Sequence, residues 1–140
     1  MPITYHIDPE RGLLLTTLHQ PTTLADVRAY VAESIADPAY APHLVEVVDA
    51  SALDEPESAA TMFDAARLLT DVWALTAPAR RVRGRVWIAP TPLLRELAGH
   101  YQRETVSAGV PTHVVCTSDE AIAWARTLVV EPPADGRNWS

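Results

Sequence analysis

The stretch Leu44-Val45-Glu46-Val47-Val48 stands between Asp37-Pro38 and Asp49-Ala50-Ser51. It is too short for a helix and rich in β-branched side chains, so it reads as a strand of a parallel sheet buried on both faces, ending at Asp49. A parallel strand requires crossover connections, and the flanking sequence offers helices for them. Upstream, Leu24, Val27, Tyr30, Val31 and Ile35 recur mostly three or four apart, with Asp26, Arg28 and Glu33 on the wet side. Thr23 is placed to cap that helix and Asp37-Pro38 to stop it. Downstream, Asp54 and Glu57 have capping-box spacing and Pro56 falls in the first turn, which predicts a second helix from about Asp54 to Pro78. Its stripe is Met62 or Phe63, Ala66, Leu69 and Trp73.

Further out, Ile3 to Ile7 and Leu13 to Leu18 flank the turn Asp8-Pro9-Glu10-Arg11-Gly12 and predict an opening hairpin. Val86-Trp87-Ile88-Ala89 is the next strand. Thr91 as N-cap and Pro92 at the first position then start a helix carrying Leu94, Leu97, Ala98 and Tyr101, with Gly109 beyond its end. His113-Val114-Val115-Cys116 is the last strand, and Thr117 with Glu120 opens a helix through Ala121, Trp124, Ala125 and Leu128. The order β-β-α-β-α-β-α-β-α implies an α/β fold: a hairpin followed by βαβ units, in a mixed sheet of about five strands with about four helices. Residues 1–130 are expected to form one domain, and 131–140 a Pro-containing tail dispensable for folding.

Composition narrows the chemistry. A formal charge of −7 opposes binding to nucleic-acid phosphates or anionic lipid. All eleven basic residues are arginine, which excludes a lysine Schiff base and a phosphate-loop lysine. One cysteine cannot form an internal disulfide, and neither a long apolar span nor a signal pattern is present, so a cytoplasmic protein is expected. The five histidines lack ligand spacing and the five glycines form no phosphate-binding loop, so no metal or cofactor is expected.

Ligands in open parallel sheets bind beyond the carboxyl ends of the strands, which singles out Asp49, Ser51, Thr91 and Cys116 as a candidate binding edge. Cap and turn chemistry explains the same residue types, and Cys116 is expected to be a packing residue. No catalytic residue is assigned. The run Arg80-Arg81-Val82-Arg83-Gly84-Arg85 reads as a solvated turn closing the preceding helix, with contact to an anion or acidic partner as its functional alternative.

Five segments resemble the SpoIIAA-like branch of the STAS domains, the anti-sigma-factor antagonist fold. They are Ile3-Thr4-Tyr5-His6-Ile7-Asp8-Pro9-Glu10-Arg11-Gly12-Leu13, Ala36-Asp37-Pro38-Ala39-Tyr40, Val47-Val48-Asp49-Ala50-Ser51, Arg85-Val86-Trp87-Ile88-Ala89-Pro90 and Asp119-Glu120-Ala121-Ile122-Ala123-Trp124. The resemblance spans about residues 3 to 128. It implies a non-catalytic binding or regulatory domain that acts by protein-protein contact, with a partner or with a copy of itself. It also implies that Ser58 takes the phosphoacceptor place. Ala59 and Ala60 stand where the family has serine and glycine, and Asp54, Glu55 and Glu57 would repel added phosphate, so the local residues predict an ordinary exposed serine. The alternative function is a carrier or sensor of a small apolar ligand or lipid, held between the sheet and its Ala-, Leu- and Trp-rich helices. An enzyme using Asp49, Ser51 and Cys116 ranks third, because no motif pairs a base with a nucleophile.

Overall fold

The computed structural model describes residues 3–19, 24–52, 82–105 and 110–130. Strands β1 (Ile3–Asp8) and β2 (Leu13–Leu18) form the expected hairpin and precede helix α1 (Leu24–Ala36). Then come β3 (Val45–Asp49), β4 (Gly84–Ile88), α2 (Pro92–Thr105), β5 (Thr112–Val115) and α3 (Ser118–Val130). The strands lie in the order β1-β2-β3-β4-β5, the first pair antiparallel and the rest parallel. This is the expected α/β fold with a mixed five-stranded sheet, carrying three helices among the described residues. The helix predicted from Asp54 to Pro78, the caps Thr23 and Gly109 and the tail from Glu131 all lie outside the described residues.

The hairpin turn is held by its own residues. Asp8 accepts the Arg11 amide at 3.2 Å and the Arg11 Nε at 2.7 Å, which holds its carboxyl below the usual aspartate range. Gly12 has φ 68°, a left-handed conformation that costs glycine nothing, and its carbonyl accepts the Val45 amide at 2.9 Å. The turn is thereby tied to the start of β3. At the far end of α1, Asp37 Oδ1 accepts the Ala39 amide at 2.9 Å, so the Asp-Pro pair stops the helix as expected. Asp37 Oδ2 accepts the Tyr5 hydroxyl at 3.1 Å, and burial together with this carboxylate raises the Tyr5 pKa.

Strand alternation divides the core in two. On one face Leu13, Val45, Val47, Val86, Ile88 and Val115 pack with Ala121 and Ala125 of α3. On the other, Ile3 packs with Val27, Tyr30 and Val31 of α1, and Val48 and Trp87 pack with Leu94 and Ala98 of α2. Sequential parallel strands joined by right-handed crossovers put α1 and α2 on the same face. The helix after the last strand, free of that constraint, covers the opposite one.

Gly84 admits α3. A Cβ there would collide with the Leu128 side chain and would lie 3.3 Å from the Pro111 carbonyl oxygen and 3.4 Å from Trp124 Cη2. With β4 starting at this glycine, Arg85 is directed to the opposite face, where it is only 5% exposed. That corrects the reading of Arg85 as part of a solvated turn. The run joins the sheet already at Arg83, whose amide donates to the Leu44 carbonyl at 2.8 Å, whereas Arg80 and Arg81 lie outside the described residues. Arg85 is buried because Glu46, its register partner on β3, supplies a carboxylate 2.5 Å from its Nε.

Smaller corrections follow the hydrogen bonding. β3 begins at Val45, because the Leu44 amide is used by the Ala41 carbonyl in the preceding turn at 3.2 Å. Ala89 and Cys116 fall just past their strands. Ile35, expected on the inner stripe of α1, is 39% exposed, and Ser34 takes a fully buried position beside it.

Gly84→Ala is expected to cost about 1–3 kcal/mol, because α3 must move to admit the methyl group. Urea denaturation would report this as a lower midpoint. An unchanged midpoint would show that α3 does not pack this closely on β4.

Candidate functional site

The carboxyl ends of β3, β4 and β5 lie side by side, held in step by Ala50 N–H donating to the Ile88 carbonyl at 3.0 Å and Ala89 N–H donating to the Val115 carbonyl at 2.9 Å. Each predicted residue has a local task there. Asp49 Oδ1 accepts both the Ser51 amide at 2.9 Å and the Ser51 hydroxyl at 2.5 Å, so the two residues build one tight Asx turn at the end of β3. Thr91 Oγ1 accepts the Leu94 amide at 3.3 Å and caps α2, as Thr91-Pro92 predicts. Thr117 and Glu120 form the expected capping box: Thr117 Oγ1 accepts the Glu120 amide and donates to Glu120 Oε1, both at 3.2 Å.

Cys116 departs from expectation. Its side chain is exposed, not packed in the core. Val115 occupies the last buried position of β5, and the next residue already belongs to the turn into α3, where the Cys116 amide donates to Glu120 Oε1 at 3.2 Å. The thiol is left on the outer edge.

Arg95 is the residue of this edge that sequence reading missed. From the first turn of α2 its Nη1 reaches the carbonyl oxygens of Pro90 at 3.0 Å and Ala89 at 3.4 Å, and Cys116 Sγ at 3.3 Å. It joins the end of β4 to the end of β5. Its position four residues after Thr91 pointed toward the start of its own helix, but no spacing rule linked it to a cysteine 21 residues away. The structure therefore brings Thr91, Arg95 and Cys116 to one stretch of edge, with Asp49 and Ser51 bonded to each other at the end of β3. Ser58 lies outside the described residues.

The arrangement offers backbone caps, one guanidinium and one accessible thiol. Among the described residues no three of His, Cys, Asp and Glu converge to hold a metal ion. No helix among them is long and apolar enough to cross a membrane. Comparison with family models, with curated proteins and with solved structures finds no match for this chain.

A second group, inside the sheet, was missed by sequence reading, although one residue carries a signal for it. Glu46 is the single charge within Leu44-Val45-Glu46-Val47-Val48, and a carboxylate taken into a core requires hydrogen-bond donors and a cation. Its Oε1 accepts Arg85 Nε and its Oε2 accepts the Tyr30 hydroxyl, both at 2.5 Å, while Thr16 Oγ1 lies 2.6 Å from the same hydroxyl. All four side chains are buried.

The exposed position of Cys116 makes a direct prediction. A soluble aromatic disulfide reagent should titrate one thiol in the native protein, before any denaturant is added. Reaction only after unfolding would restore the packing role.

Proposed function

We propose that this chain is a non-catalytic, STAS-like binding or regulatory domain of the cytoplasm, working through contact with a protein partner or with a second copy of itself. The observation that carries the reading is the sheet: an antiparallel hairpin followed by three parallel strands in sequential order, with helices on both faces. A hairpin followed by βαβ units in a mixed sheet is what the SpoIIAA-like resemblance implies, and its five segments fall on β1 and its turn, the end of α1, β3, β4 and α3. Fold likeness alone does not fix a function, and here the strand-end residues add to it. Asp49, Thr91, Thr117 and Glu120 spend their polar atoms on turns and helix caps, a use that suits a rigid surface presented to a partner. Neither metal nor cofactor enters the reading.

Native mass spectrometry of protein freshly purified from a bacterial host tests it. The expected spectrum contains the bare chain and protein-only assemblies of it. A small apolar molecule retained in stoichiometric amount would overturn the reading in favour of a carrier or sensor.

A further inference from the structure

The polar group in the core has a direction. Glu46 Oε1 is bonded to Arg85 Nε, so the guanidinium compensates a carboxylate, and Oε2 receives the single hydroxyl proton of Tyr30. With that proton committed, the 2.6 Å contact between Thr16 and Tyr30 can be made only by Thr16 donating to the Tyr30 oxygen. The order is therefore Thr16 on β2 to Tyr30 on α1, Tyr30 to Glu46 on β3, and Arg85 on β4 to Glu46. The phenolic oxygen joins β2, α1 and β3, and the Glu46 carboxylate extends the group to β4.

The other described helices have apolar seats. α2 is seated by Leu94 and Ala98 on Val48, Trp87 and Ala89, and α3 by Ala121 and Ala125 on the opposite face. The apolar contacts of α1 lie at the antiparallel end of the sheet, with Ile3, Tyr5 and Leu18. The Tyr30 ring also meets the Tyr5 ring edge-on, with centroids 5.8 Å apart. It is the Tyr30 hydroxyl that carries α1 into the parallel strands. Hydrogen bonds to a charged acceptor are roughly twice as strong as neutral ones, and a buried carboxylate gives up a donor at high cost.

We infer that the Tyr30 hydroxyl is a latch: it couples the seating of α1 to the buried Glu46–Arg85 pair. α1 is then the element that can open while the sheet, α2 and α3 remain assembled, and the ion pair sets how often it does so. Such a unit is a local opening of the kind that amide exchange resolves.

The test is native-state amide hydrogen exchange on the full chain and on Tyr30→Phe, which keeps the ring with its contacts to Ile3, Tyr5 and Val27 and removes only the hydroxyl. Exchange in α1 should accelerate by about 10-fold or more, equivalent to about 1.4 kcal/mol of opening free energy, with α2 and α3 unchanged. Thr16→Val, close in shape to the native residue, leaves the bond to the carboxylate in place. It should give a smaller acceleration confined to the same helix. An unchanged α1 in Tyr30→Phe would overturn the latch, and so would equal acceleration in all three helices, which would mean that the hydroxyl serves only global stability. Should Tyr30→Phe fail to fold, Thr16→Val decides between the same outcomes.

Discussion

A carboxylate and a guanidinium have been taken out of water side by side on the neighbouring strands β3 and β4, and much of the structure is arranged to make that tolerable. Moving either ion alone into a protein interior costs several kcal/mol even after relaxation, and mutual attraction offsets this only when the geometry is close and the remaining polar atoms are bonded. The Glu46 carboxylate meets both conditions, with Arg85 Nε at 2.5 Å from one oxygen and the Tyr30 hydroxyl on the other. A one-residue slip of β4 against β3 would turn Arg85 toward the face that holds Val86 and would leave Glu46 without its cation. The pair thus penalises every neighbouring register, which an all-valine contact would not do.

The two faces of the sheet answer to this constraint differently. The face toward α3 is wholly apolar at its centre and depends on close approach, which Gly84 permits by having no side chain where Leu128 passes. The face toward α1 and α2 carries the polar group at its middle, so the helix nearest it contributes a hydroxyl as well as a hydrophobic stripe. Away from the core, the carboxyl ends of the parallel strands are finished by short-range capping from Asp49, Thr91, Thr117 and Glu120. Arg95 ties two of those ends together beside the exposed Cys116. The candidate edge is therefore a rigid rim on a sheet whose order is fixed from within.

Most of the frame was legible in the residues. Turn chemistry at Pro9 to Gly12, the Thr91-Pro92 start, the Thr117 to Glu120 box and the valine-rich β3 are local signals, and local hydrogen bonds decide them. The missed features are those that depend on contacts between strands. Arg85 looked solvated because it closes a dense basic run, and its partner sits 39 residues earlier in a segment read for its valines. Cys116 looked buried because the last strand was drawn one residue too long, so that a cap position was read as a core position. Arg95 acts across a distance in sequence that no periodicity encodes. Ile35 followed the helical stripe, yet the buried face of α1 runs through Val27, Tyr30, Val31 and Ser34 and leaves Ile35 exposed.

Thermal unfolding of three variants shows whether Glu46 and Arg85 act as one unit. Glu46→Leu leaves a buried guanidinium without its carboxylate and Arg85→Met leaves a buried carboxylate without its guanidinium, each at a cost of about 3–5 kcal/mol. The double variant removes both charges together. It is expected to melt above either single variant, because the second substitution relieves the burden created by the first. A double variant that melts below both singles, as independent losses would give, would show that the two residues do not act as one unit.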